Sequence, residues 1–312
     1  MNKEISIVIP IFNEEKNIPE LYSRLKKTLD KIVDKYEIIF VNDGSKDNSL
    51  KIVKNLAKKD KSVYFINFSR NFGHQIAVTA GLDYSNAKAV VIIDADLQDP
   101  PELIEDFYIK YLQGYEVVYA KRRKRKGESF LKKITAKLFY RMMQKLTNID
   151  IPVDTGDFRL MDRKVVDYLK KMPEKNKFLR GQIAWLGFRQ TEVLFDRDER
   201  KYGKTGYSFG KMLQFALDGI TGFSDKPLQF VTKLGFVISL FSFFVIIYAL
   251  YSHFLLHRTI TGWTSLIISF AFIGGVQLLS IGIIGEYISR IHKNVNNRPL
   301  YIIDESNFDN ED

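Results

Sequence analysis

Three carboxylates crowd six positions of the segment VVIIDADLQDPPE: Asp94, Asp96 and Asp99 follow the apolar run Val90–Ile93 and precede Pro100 and Pro101. Carboxylates this close repel one another unless a cation lies between them. A divalent metal suits them, because hard cations prefer oxygen ligands and share their coordination with phosphates. An Asp-x-Asp tripeptide alone is weak evidence, since many solvated loops carry one. Its place at the end of a buried strand is what points to a metal.

The elements around it must bring such a site together. Ile5–Ile9 is a continuous apolar run ended by Pro10, the pattern of a strand buried on both faces. Helical spacing follows over Glu14–Ile32, then a strand over Tyr36–Val41 stopped by Asn42, Asp43 and Gly44. A helix through Leu50, Val53 and Leu56, a strand in VYFINFS, a helix over His74–Asp83 and a strand in AVVIIDAD complete the alternation. Strand and helix in turn predict an α/β fold: a mostly parallel sheet with helices on both faces. Such sheets bind ligands at the carboxyl ends of their strands. Pro10, Asn13 and Glu14, then Asp43 and Gly44, then Asp94 and Asp96 all fall there. Simpler roles are open to several: Pro10 ending a strand, Asn13 capping a helix, Asp43–Gly44 making a turn.

Neither a Gly-x-Gly-x-x-Gly fingerprint nor a phosphate loop ending in Gly-Lys-Ser/Thr follows the first strand. Phosphates are therefore not expected in a glycine cradle, which leaves a metal bridging a diphosphate to carboxylates. The chain has no cysteine, so disulfides and thiolate metal sites are excluded, while the redox compartment stays open.

IVIPIFNEEKNI, VNDGSKDNS, SRNFGHQIAVTAGLDYSNA, DADLQDPPE, DTGDFRLMDR and YGKTGYSFGKM together resemble glycosyltransferase family 2 with the GT-A fold. The likeness is greatest to polyprenyl-phosphate sugar transferases such as bactoprenol glucosyltransferases and dolichyl-phosphate mannose synthase. The resemblance implies nucleotide-sugar binding by Pro10, Asn13, Glu14, Asp43 and Asp94. It also implies a metal, Mg²⁺ or Mn²⁺, on Asp96 and Gln98, with Asp94, Asp96 and Asp157 catalytic. Asp157 is either a general base or a positioning group, since a lipid phosphate is already largely ionised at neutral pH (second pKa about 6). Arg122, Arg159, Arg200, Lys201, Tyr202 and Lys204 are the candidates for phosphate and acceptor contacts. Relatives often carry a lysine where this chain has Gly206, which shifts the expected contact to Lys204 or Lys201.

A net charge of +10 over 312 residues favours an anionic partner. Lys121–Lys126 is an unbroken basic run, and Phe130–Leu146 reads as a basic amphipathic helix on an anionic membrane surface or, failing that, packed on the catalytic core. No nucleic-acid reading motif accompanies the charge, so nucleic acid is not expected. Leu234–His257 and Thr259–Gly285 contain no acidic residue, lysine or arginine. Each is long enough to cross a bilayer core of about 30 Å; two buried helices of a soluble core are the alternative. The expected organisation is a catalytic domain over residues 1–225, a transmembrane hairpin over 226–290 (spans about 233–256 and 263–285) and a tail over 291–312. Basic flanks at Lys226, Lys233, Arg290 and Lys293 put both termini in the cytoplasm, and the resemblance implies a bacterial inner membrane. The strand-like tail segment RPLYIIDES is expected to dock on a catalytic domain, its own or a neighbour's in a homo-oligomer.

The function expected is an inverting hexosyl transfer, with UDP-glucose as the favoured donor, to polyprenyl phosphate for cell-envelope glycan modification. GDP-mannose and UDP-N-acetylglucosamine follow as donors. A processive synthase lacks its Gln-x-x-Arg-Trp motif here. A membrane-anchored nucleotide-sugar-binding scaffold is the non-enzymatic rival.

Overall fold

The computed structural model describes residues 3–123, 152, 155–196, 222, 224–254 and 262–308. The amphipathic segment Phe130–Leu146, the expected turn before Gly262, and Arg200, Lys201, Tyr202 and Lys204 lie outside the described residues.

The expected alternation is present. It runs β1 (Ile5–Ile11), α1 (Ile18–Ile32), β2 (Tyr36–Asn42), α2 (Ser49–Lys59), β3 (Val63–Phe68), α3 (His74–Tyr84), β4 (Ala89–Ile92) and α4 (Leu103–Leu112). Then come β5 (Val117–Arg122), β6 (Thr155–Asp162), α5 (Arg163–Lys170), α6 (Leu179–Trp185), β7 (Gln190–Phe195), α7 (Lys226–Phe254), α8 (Trp263–Val295) and β8 (Ile303–Ser306). The strands form one sheet of order β7-β5-β6-β4-β1-β2-β3-β8. β1 pairs parallel with β2 and β4, β2 with β3, and β5 with β7. β6 runs antiparallel between β4 and β5, and β8 antiparallel to β3.

β1 is buried along its whole length because helices cover both faces of the sheet. Ile5, Ile7 and Ile9 pack with Leu21, Leu25 and Leu29 of α1 and Phe107 of α4 on one side. Val8 packs with Val78 and Leu82 of α3, Val165 of α5 and Ile183 of α6 on the other. Each such side chain contributes about 1.5–3 kcal/mol when fully withdrawn from water. Gly81 lets α3 sit close to β1: a Cβ there would stand 2.2 Å from Val8 Cγ1. That approach fixes the height of α3's first turn, which carries His74 and Gln75.

Local details differ from the sequence reading. Pro10 does not end β1; it pairs with Val41 and the strand continues to Ile11, since proline's fixed φ is compatible with extended backbone. Asn13 does not cap α1, which starts at Ile18 with Asn17 at the N-cap and Pro19 in its first turn. Asn13 instead adopts φ +58°, a left-handed conformation that asparagine tolerates.

α7 and α8 are long enough, at about 1.5 Å per residue, to exceed a bilayer core. The apolar windows Lys226–Val245 and Ile268–Val295 are covered by none of the described residues. Phe236, Phe270 and Leu278 are more than 70% exposed. The tail strand docks on the catalytic sheet of its own chain. Phe68 stacks on Tyr301 at 5.2 Å and Tyr64 on Phe308 at 4.7 Å.

Candidate active site

Strand direction assembles the site. β6 enters from the carboxyl edge of the sheet, and its ladder with β4 pairs Ile92 with Arg159. Two residues further along each chain lie Asp94, past Ile92, and Asp157, before Arg159. The antiparallel register therefore brings two carboxylates 63 positions apart in sequence to one place on the edge.

Asp157 is 6% exposed, and its carboxylate is fully engaged. Oδ1 accepts from Arg180 Nε at 2.7 Å, and Oδ2 accepts from Gln75 Nε2 at 3.0 Å and lies 3.2 Å from His74 Nε2. Burial alone would push this carboxyl up; the Arg180 charge and the His74 hydrogen bond outweigh burial and hold it well below the usual carboxylate range. His74 Nε2 also faces Asp94 Oδ1 at 3.6 Å. Partial desolvation opposes its protonation, although 44% of the side chain stays exposed, and Asp94 and Asp157 together push the imidazole up to about 9. Gln75 Oε1 accepts from Leu179 N, tying α3 to α6 beneath the carboxylate. Arg159 is 5% exposed, donates to the Gly156 and Asp157 carbonyls, and is lowered to about 10 by burial.

The acidic loop departs from regular backbone at Leu97, a non-glycine residue at φ +59°. Such strain persists where surrounding contacts over-determine it, often at functional sites. It turns Asp96 back so that Oδ1 accepts from Gln98 N at 3.1 Å. Asp94 Oδ1 is buried with no hydrogen-bond partner among the described residues. Among those residues this oxygen makes no hydrogen bond and has only the His74 ring at 3.6 Å as a close positive neighbour, which leaves it able to meet a hard cation, and Asp94, Asp96 and Gln98 offer oxygen donors from their side-chain carbonyl groups. Among the described residues no cluster of three or more His, Asp or Glu assembles to hold a metal alone. Arg122 Nη2 and Asp99 Oδ2 both lie within 4 Å of the position a Cβ on Gly156 would take, which puts this arginine at the same edge.

Further along the edge, Asp43 accepts from the backbone amides of Phe72 and Gly73, so it braces the loop that opens α3. Gly44 sits at φ +69° with no room for a side chain: a Cβ would meet Arg70 C and Asn71 N at 2.7 Å. Asn13 Oδ1 accepts from Lys46 N and Asn13 N donates to Ser45 Oγ, pinning the β1 and β2 loops together. Glu14 accepts from Asn17 Nδ2.

The chain matches the model of the family described as "Glycosyl transferase family 2" over residues 6–169. The chain belongs to glycosyltransferase family 2. It is 53% identical over 303 residues to the uncharacterized glycosyltransferase YkcC of Bacillus subtilis (strain 168), covering 97% of this chain and 94% of that protein. It is 40% identical over 307 residues to the bactoprenol glucosyl transferase of Shigella phage SfII, covering 98% and 99%. A solved structure, glucosyl-3-phosphoglycerate synthase from Mycobacterium tuberculosis with Mn²⁺, UDP and glucosyl-3-phosphoglycerate, superposes with a TM-score of 0.45 at 18% identity over 70% of this chain and 78% of that one.

In this glycosyltransferase the edge gathers Pro10, Asn13, Glu14, Asp43, Asp94, Asp96, Gln98, Arg122, Asp157 and Arg159, the described part of the expected set. Sequence reasoning assigned no role to His74, Gln75 and Arg180. His74 and Gln75 lie inside the segment NFGHQIA quoted for the resemblance; Arg180 had no local signal.

Proposed function

We propose that this enzyme transfers a hexose, with UDP-glucose as the favoured donor, to the phosphate of a polyprenyl lipid at the cytoplasmic face of a membrane. The observation that carries the reading is the end-to-end likeness to a bactoprenol glucosyl transferase, 99% of whose length is matched. The two uncovered apolar helices suit a membrane-bound acceptor. GDP-mannose is the second donor to test.

The reaction is a single displacement. A phosphate oxygen of the acceptor forms a bond to C1 of the sugar while the bond from C1 to the nucleoside diphosphate breaks, inverting C1. A divalent cation bound with Asp94, Asp96 and Gln98 would supply charge neutralisation for the diphosphate. Asp43 and the Asn13–Lys46 contact shape the nucleoside side. Asp157 acts by position: its two oxygens already serve three donors, and a phosphate already largely ionised at neutral pH gains little from a base. It holds Arg180 and His74 toward the reacting centre, and Arg159 stands behind it as buried positive charge.

The test is product formation by the purified full-length protein from polyprenyl phosphate and labelled nucleotide-sugars. Donor binding without any lipid-linked product would favour the scaffold reading.

A further inference from the structure

The tail strand β8 meets β3 with one residue to spare. Asn67 pairs with Glu305 and Phe68 with Ile303, leaving Asp304 unpaired between them. A bulge of this kind re-aims a side chain, and Asp304 Oδ2 accepts from Asn67 Nδ2 at 3.1 Å. From there a chain of hydrogen bonds runs along the carboxyl edge. Asn67 Oδ1 accepts from Asn42 Nδ2 at 2.7 Å, and Asn42 Oδ1 accepts from Ser45 N at 3.4 Å. Ser45 Oγ accepts from Asn13 N at 2.9 Å, and Asn13 Oδ1 from Lys46 N at 2.8 Å. Asn42 and Asn67 are register partners, 2% and 7% exposed, so little water can substitute for either.

The polarity of this relay is set from both ends, by Asp304 and by the Ser45 N–H. An ionised carboxylate only accepts, so Asp304 obliges Asn67 to present its amino group and turn its carbonyl to Asn42. Asn42 must then present its own amino group, leaving its carbonyl for Ser45 N. Without Asp304 only the 3.4 Å bond from Ser45 N holds this polarity, and an Asn42 that reversed would point a donor at the Ser45 N–H. That conflict falls on the loop holding Asn13 in its left-handed conformation.

We propose that Asp304 and Asn67 are positioning residues for the donor-binding loops, so that docking of the segment following α8 is sensed at the nucleotide site. The donor half of this rests on the function proposed above; the relay does not.

Full-length protein in nanodiscs, assayed with UDP-glucose, Mn²⁺ and undecaprenyl phosphate, tests it. Asp304→Ala and Asn67→Ala should each raise the donor KM about three- to tenfold, the range one buried hydrogen bond supports. kcat and the acceptor KM should stay within about twofold. Asp304→Asn, which keeps an acceptor oxygen, should recover most of the loss. Asp304→Ala added to Asn42→Ala should do no further harm, although the two residues do not touch, because both lie on one relay. Glu305→Ala removes the tail's ion pair with Lys54 but not the relay, and should leave donor KM unchanged. Hydrogen exchange of Ser45 and Lys46 reads the relay without ligand, and should quicken in Asp304→Ala and not in Glu305→Ala. Wild-type donor KM and exchange in Asp304→Ala, or an equal effect in Glu305→Ala, would overturn the proposal. A wild-type protein that turns over no nucleotide-sugar would overturn the proposed function and the donor half with it, while exchange still decides the relay.

Discussion

Arg180 Nε lies 2.7 Å from Asp157 Oδ1, joining α6 to β6 across the catalytic edge. The contact makes two roles for Asp157 separable by experiment. A general base must be free to take a proton, whereas a positioning group must be held. Removing Arg180 would make a base stronger and a positioned carboxylate useless. Arg180→Ala is therefore expected to cut turnover about tenfold or more, the scale of a lost charge-assisted hydrogen bond, with donor affinity changed less than about threefold. Unchanged or increased turnover at neutral pH would assign Asp157 as the base.

Asp157→Asn is expected to be nearly as damaging as Asp157→Ala. Three donors converge on the carboxylate, and an amide must aim its own NH₂ at one of them. Thermal melts and single-turnover rates check this; an Asn variant with wild-type rates would contradict it.

Asp96→Ala should abolish metal-dependent donor binding and leave the fold intact. Its carboxylate braces the acidic loop at Gln98 N and lies outside the hydrophobic clusters. Uncompensated diphosphate charge beside Asp94 should cost more than a neutral hydrogen bond of about 1 kcal/mol. Titration of Mn²⁺ with UDP by calorimetry gives the answer, and chelator should mimic the variant in the wild type. Unaltered Mn²⁺ affinity would remove Asp96 from the metal site.

Gly44→Ala should raise donor KM and lower stability by about 1–3 kcal/mol, because its φ of +69° and the backbone of Arg70 and Asn71 leave no relaxed solution. Gly81→Ala should lower stability by separating α3 from β1, and turnover should fall with it as His74 and Gln75 move. Denaturation curves beside kinetics would show whether the two effects travel together.

Both ends of the chain are expected in the cytoplasm, with the segment between α7 and α8 outside. The absence of native cysteine makes the measurement simple. A single cysteine replacing Thr261 should react with an impermeant maleimide in intact cells, and one replacing Asp312 only after lysis. The reverse pattern would overturn the topology.

Much of this was legible in the sequence, for identifiable reasons. Apolar runs such as Ile5–Ile9 and Val90–Ile93, each stopped by polar residues, announce buried parallel strands and place Asn13, Asp43 and Asp94 on one edge. The charge-free stretches announce α7 and α8. The placement of β6 was not legible: strand pattern in DTGDFRLMDR carries neither direction nor neighbour, and only antiparallel insertion beside β4 sets Asp157 against Asp94. Arg180 was invisible because its partner lies 23 residues away on another element. Asp304 was invisible because a bulge, which depends on the register with β3, turns it toward Asn67.

The most direct measurement is transfer itself. Purified full-length protein is incubated with undecaprenyl phosphate, Mg²⁺ or Mn²⁺, and UDP-glucose labelled in the sugar, with GDP-mannose in parallel. The prediction is label in the lipid fraction as a polyprenyl phosphosugar of inverted anomeric configuration, with release of UDP, abolished by chelator and by Asp96→Ala. Release of free sugar with no lipid-linked label from any donor, or lipid-linked label that persists in Asp96→Ala, would contradict it.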